Sequence, residues 1–207
     1  MARVRRGVGK KRDSLERARR DVDAWLEARD IGPRPLIRGD LMNAFIDRSE
    51  GQSSTIETAD ERAEVPSLVA AYLRDHELPM KAAMWPEFSD LDWAGAGVEV
   101  MAEGARDGDA VGITGAFCAI AETGTLMLCS GPLTAATTSL LPETHIALVD
   151  IKRIVGSMED AWALARQELG TLPRAVNFVS GPSRTGDIEQ TIVLGAHGPY
   201  RVHIVLY

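Results

Sequence analysis

The 207-residue chain is 45% hydrophobic and 26% charged, enough apolar material for a sizeable core and too balanced for a disordered or fibrous chain. No run approaches the ~18 apolar residues of a membrane span, and the basic start "MARVRRGVGKKRD" lacks the apolar stretch of a secretory signal, so a cytoplasmic location is expected. Net charge is −7, although residues 1–20 hold nine Lys/Arg against two Asp/Glu; the acidic remainder argues against nucleic acid as the main ligand.

Leu15, Ala18, Val22, Trp25 and Leu26 recur at helical spacing and predict an amphipathic helix over 11–29, stopped by "GPRP". Residues 48–64, "RSEGQSSTIETADERAE", are polar and read as a surface loop. A second helix fits "PSLVAAYLRDHEL", with Pro66 in its first turn and Pro79 just past its end. Beyond Pro79 come short β-favouring runs: KAAMW, VEVM, AVGIT, LMLCS, HIALV, AVNFVS and VHIVLY. A helix over Ser157–Leu169 places Met158, Ala161, Trp162, Ala165 and Leu169 on one face, with Ser157 and Asp160 spaced as a capping box and Gly170 as its C-terminal cap. Near-continuous apolar strands alternating with helices predict an α/β domain with a mostly parallel sheet covered on both faces. The expected division is 1–65, a helical extension with a polar loop, and 66–207, the α/β domain.

Cys118 and Cys129 sit in apolar runs at a separation that matches no zinc or iron–sulfur pattern, so they read as reduced core residues. This chain is expected to carry no cluster or other cofactor.

Ligands of parallel α/β sheets gather where loops leave the carboxyl ends of strands. The informative loops follow AFCAIA, LMLCS and AVNFVS. In "AIAETGTLML", Glu122 interrupts an apolar sequence beside Thr123, Gly124 and Thr125. A carboxylate there suits a general base, a nucleophile, a binding group, or an acceptor for loop amides. His145 opens the strand HIALV. His203, within the final strand, carries less functional weight, and His76 reads as a helix-end contact. The stretch "GPSRTGDIEQTIVLGAHGP" concentrates Ser183, Arg184, Thr185, Asp187, Glu189 and His197 between two Gly-Pro pairs. Asp187 and Gln190 are spaced as a capping box for a short helix through Ile192–Leu194, whose free N–H groups would make an anion cradle beside Arg184. The plainer reading pairs Arg184 with Asp187 or Glu189.

"AIAETGTLML", "LLPETHIALV", "VNFVSGPSRTGDIEQTIVLGAHGP" and "RVHIVLY" together resemble the LUD domain family, in its lactate-utilization branch, over roughly Pro79–Tyr207. Gly186 and Ala196 are small departures from the family's alanine and valine. The resemblance implies a Rossmann-like fold similar to sugar-phosphate isomerases and CoA transferases. It also implies the cluster-free member of a three-protein system oxidising L-lactate to pyruvate, with iron–sulfur clusters on the partner subunits. CoA transferases of this fold class use a glutamate in an E-x-G context, which Glu122-Thr123-Gly124 resembles.

The expected pocket places Glu122 and His197 at the reacting centre. Thr123, Gly124, Thr125, His145, Ser183, Arg184, Thr185, Asp187 and Glu189 would hold a small carboxylate or acyl ligand. The alternatives are an interaction subunit with a vestigial pocket, docking its cluster-bearing partners through the basic arm and the 48–64 loop, and a free-standing acyl or CoA transferase with Glu122 as nucleophile.

Overall fold

The aliphatic and β-branched runs after Pro79 form strands, but these divide between two sheets. The computed structural model describes residues 12–28, 32, 37, 39–188, 191–195 and 197–207, with backbone alone at 12, 13, 185–188 and 191–194. Met1–Pro35 and Leu36–Tyr207 are separate compact units. The first contains helix α1 (Arg12–Ala28), whose Leu15, Val22, Trp25 and Leu26 are 49%, 55%, 65% and 57% exposed.

The second unit is built on a six-stranded sheet in which every neighbouring pair is parallel, ordered β1 (Thr55–Thr58), β12 (Arg201–Leu206), β7 (Thr144–Val149), β4 (Val111–Gly115), β2 (Lys81–Met84) and β3 (Glu99–Met101). A smaller mixed sheet runs β8 (Ile154–Val155), β5 (Cys118–Ile120), β6 (Thr125–Cys129) and β9 (Val176–Val179). β10 (Arg184–Ile188) and β11 (Thr191–Leu194) make an antiparallel hairpin.

Three apolar clusters order the layers. Helix α3 (Val65–Asp75) packs Val69, Leu73 and Tyr72 on Met84, Ile113, Ile146 and Val205 of the large sheet. The other face, through Ala147, Val149, Ile204 and Leu206, meets Leu126 and Leu128 of the small sheet and Phe45 of α2 (Leu41–Gly51). Ala161 and Ala165 of α5 (Met158–Leu169) cover the small sheet's outer side at Cys118, Ile120 and Met127. The layers therefore run helix, sheet, sheet, helix. Burying both faces explains why β4 and β7 read as continuous apolar runs without alternation. A short helix, α4 (Thr137–Leu140), lies over Gly112, where any side chain would collide with the Thr138 carbonyl oxygen.

Several sequence expectations hold in detail. The Ser157–Asp160 capping box forms, and Gly170 ends α5 with φ +66°. Both cysteines are free; Cys118 is buried and Cys129 half-buried. His76 ends α3 and its Nδ1 lies 3.0 Å from the Tyr72 carbonyl oxygen.

Three expectations are corrected. The polar stretch 48–64 is no loop: it closes α2 and supplies β1, whose Thr55 pairs with His203, so part of the assigned extension lies within the large sheet. Asp187 starts no helix. Thr191-Ile192-Val193 is β-branched throughout, and the extended preference of those residues outweighs the capping spacing. The strands before the three chosen loops, β5, β6 and β9, belong to the small mixed sheet rather than to the parallel one.

Candidate functional site

Among the described residues of the second unit, two concavities stand out. The first is a cleft of about 770 Å³ beside the turn Glu122–Thr125, lined among the described residues by Asp47, Arg48, Gln52, Thr123, Met158, Phe178 and Ser180 as well as Glu122 and Thr125. Side chains at the end of α2 bond to the main-chain carbonyls of this turn. Arg48 Nη1 donates to the Glu122 carbonyl oxygen at 2.6 Å, Ser49 Oγ to that of Gly124 at 3.1 Å, and Gln52 Nε2 to that of Thr123. Gly124 has φ +62°, and a Cβ there would lie 2.6 Å from the Arg48 carbonyl carbon. The family-like glycine is thus required by a close helix approach.

The Glu122 carboxylate accepts the Met158 N–H at 2.8 Å. It therefore satisfies one of the unpaired donors in the first turn of α5 and sits at the positive end of that helix. Below it, Thr125 Oγ1 and Ser180 Oγ share a hydrogen bond of 2.7 Å. Arg184 reaches the same neighbourhood from the hairpin: its Nη2 donates to Gln52 O at 2.9 Å and Ser53 Oγ at 2.5 Å. The E-T-G-T turn and the Ser-Arg stretch thus converge on Gln52-Ser53, a meeting point that no local pattern in 48–64 announces.

Other predicted residues lie elsewhere. Ser183 closes the base of the hairpin, donating its N–H to Pro199 O and accepting from Gly195 N, while His197 is exposed in the turn before β12. Thr185 and Asp187 are backbone positions of β10, and Glu189 lies outside the described residues. His145 is not brought to the cleft. It is fully buried in β7, with Nε2 2.8 Å from Thr114 Oγ1, and burial pushes its pKa down to about 4. His203 is likewise buried, sharing a 2.9 Å hydrogen bond with Thr55 and stacked on Tyr72; burial first, then His76, pushes it down to about 4.

The second concavity, about 600 Å³, opens at the carboxyl ends of β2, β4, β7 and β12, where Trp85, Gly115, Asp150 and Tyr207 line it. The strand order reverses at β2, so this is the place where open parallel sheets ordinarily hold ligands. Sequence reading missed it because Glu87, Asp150 and Arg153 stand outside the resembling motifs. Among the described residues no cluster of three or more His, Cys, Asp or Glu is placed to hold a metal ion.

The sheet order and the two clefts define a Rossmann-like α/β domain. Its fold matches the crystal structure of a DUF162 family protein from Deinococcus radiodurans, with TM-score 0.61 and 24% identity over 83% of this chain and 99% of that one. Residues 49–207 match the LUD domain, and the chain belongs to the LUD domain family. It is 39% identical over 99 residues to lactate utilization protein C of Bacillus subtilis, and 41% over 103 residues to that of Exiguobacterium. These stretches cover 46% of this chain in both cases, and 41% and 43% of the relatives, so the match spans less than half of those proteins.

Proposed function

We propose that this chain serves lactate utilization as the cluster-free component of an iron–sulfur L-lactate oxidation system, holding a small carboxylate or acyl group in the cleft beside Glu122–Thr125. The observation that carries this reading is the exposed Arg48 guanidinium at the cleft, next to the Thr123 hydroxyl and the Thr125–Ser180 hydroxyl pair. A guanidinium offers several donors, so the one bonded to the Glu122 carbonyl leaves others for a carboxylate. Arg184, committed to Gln52 and Ser53, acts as a positioning residue. Glu122 caps α5 in this arrangement. A covalent role would require it to give up that hydrogen bond, which ranks the transferase reading behind simple binding.

Titration of L-lactate and pyruvate into the purified chain tests the reading. Arg48→Gln is expected to weaken carboxylate binding by about tenfold to a hundredfold, the loss of one charge-assisted hydrogen bond. Unchanged affinity in a folded Arg48→Gln protein would remove the cleft from consideration. A mass increase on incubation with an acyl-CoA, absent in Glu122→Gln, would instead favour the transferase.

One observation favours a second reading, an interaction subunit: Leu15, Val22, Trp25 and Leu26 of α1 leave an apolar stripe exposed on a helix that follows a basic arm. An exposed stripe of this kind suits a groove on a partner protein. Deleting residues 1–30 should then abolish co-purification with the iron–sulfur subunits while leaving the thermal unfolding of the remaining domain unchanged. Full assembly by the truncated chain would eliminate this reading.

A further inference from the structure

The carboxyl-edge cavity is a different chemical environment from the cleft, and its charge is unbalanced. Arg153, the cation in its lining, is bound to a neighbouring carboxylate and a main-chain carbonyl. It holds Glu168 through two bonds, Nη1 to Oε1 at 2.8 Å and Nη2 to Oε2 at 2.9 Å. Its Nε donates to Phe117 O at 2.7 Å, and its Cζ lies 4.7 Å from the centre of the Phe117 ring. Arg62 lies nearby but is bonded to both carboxylate oxygens of Asp90 and to the Glu87 carbonyl oxygen. Glu87 and Asp150 form no direct side-chain ion pair among the described residues; Arg62 attracts the first and Arg153 the second from farther off, and with Glu168 beside Arg153 the lining keeps more carboxylates than cations.

Both carboxylates are fixed at strand ends by main-chain N–H groups, Glu87 by that of Gly115 and Asp150 by that of Lys152. Glu87 as a residue is exposed, yet its carboxylate end tucks over Gly115 at the end of β4, where a side chain would displace it. Burial of that end raises its pKa, an effect that Arg62 only partly reverses. Asp150 Oδ1 accepts the Lys152 N–H at 2.8 Å, which fixes the carboxylate at the end of β7. Tyr207 stands close enough to both that each adds to the rise that burial gives its own pKa. Trp85 and Phe117 supply apolar wall, and the Trp85 Nε1 is occupied by Ala135 O at 3.0 Å.

We propose that the cavity at the carboxyl edge of the large sheet binds a small organic cation, an alkylammonium group seated between Glu87 and Asp150 with its carbon chain against Trp85 and Phe117. Cation and aromatic wall attract one another as well as cation and carboxylate, and Arg153 over Phe117 shows the same pairing within the chain. A lactate-like anion is repelled by this lining, so the two concavities select opposite charges.

Calorimetric titration of the full chain with propylammonium and with butane-1,4-diammonium, against 1-propanol and L-lactate as controls, tests the proposal. Saturable binding of the ammonium ions is expected, weakened about tenfold or more in E87Q/D150N. Those replacements keep shape, and asparagine at 150 still caps the following turn. Arg48→Gln, in the other cleft, should leave ammonium binding unchanged, which separates this result from the lactate reading. The single variants E87Q and D150N, each weaker than the parent, guard against misfolding of the double variant. Absence of saturable ammonium binding, retention of full affinity in E87Q/D150N, equal binding of 1-propanol, or loss of ammonium binding in Arg48→Gln would each overturn the proposal.

Discussion

Valine in place of Gly124 is expected to destabilise the protein by about 3 kcal/mol or more and to remove binding at the adjoining cleft. Two costs add. A non-glycine residue held at positive φ costs ~1–3 kcal/mol, and forcing atoms into a filled space costs another ~1–3 kcal/mol. Neither cost is easily relieved here, because φ is +62° and the atoms in the way are the main chain of Arg48 and Ser49. Moving them would break the hydrogen bonds from Arg48, Ser49 and Gln52 to successive carbonyls of the turn. Urea unfolding of Gly124→Val beside the parent measures the effect. A midpoint unchanged within error would mean that the turn is not locked to α2.

The stability of the second unit is expected to fall between pH 6.5 and 4 for a reason that lies in its two buried histidines. His145 and His203 each have a folded-state pKa of about 4 against an ordinary value of 6.5. Above pH 6.5 both are neutral in folded and unfolded chains, so their contribution is intact. As pH falls below 6.5 the unfolded chain takes up protons that the buried rings refuse, and the balance shifts toward unfolding until the folded forms protonate near pH 4. For one fully buried ring the loss approaches ~3 kcal/mol at the bottom of that window. His145 is enclosed with Nδ1 lacking a partner among the described residues, and His203 faces Thr55, Tyr72 and His76. Glutamine at both positions can retain a bond to Thr114 or Thr55 and does not titrate. The double variant should therefore show a flatter pH profile of unfolding midpoint; a profile parallel to the parent would refute this origin. Asp90 and Glu168, held below the ordinary carboxylate values first by hydrogen bonds from Arg62 and Arg153, lose their stabilising contribution only at still lower pH, so the histidine window precedes theirs.

The legible parts of the fold were those with strong local patterns. Helix α5 announced both of its ends, and the apolar runs of β4 and β7 could be buried only one way. β1 could not be read: "TIET" has one large apolar residue, and its place at the sheet edge comes from pairing with β12, far along the chain. The division into two sheets was hidden for a related reason, since a short apolar run buried on both faces does not declare its neighbour. At the cleft, Glu122 stands in a legible motif with Gly124 beside it, whereas Arg48 belongs to no motif and sits in a helix whose described buried residues are only Phe45 and Ser49. Arg184 stands out in its motif, but its partners are two positions in the stretch that reads as loop.

β12 lies between β1 and β7, and this order has a consequence for how the protein is made. Thr55 and His203, bonded across that seam, are 148 positions apart in the chain. At ordinary translation speeds of ~5–20 residues per second, roughly 7–30 s pass between synthesis of one strand and of its neighbour. Throughout that interval β1 has no partner in the sheet, and β7, once made, waits with one bare edge for β12. Such long-range parallel pairing folds slowly and leaves a nascent chain open to aggregation. The polar "TIET" is well suited to that wait, because a strand with so little apolar surface gives other unfinished chains little to hold.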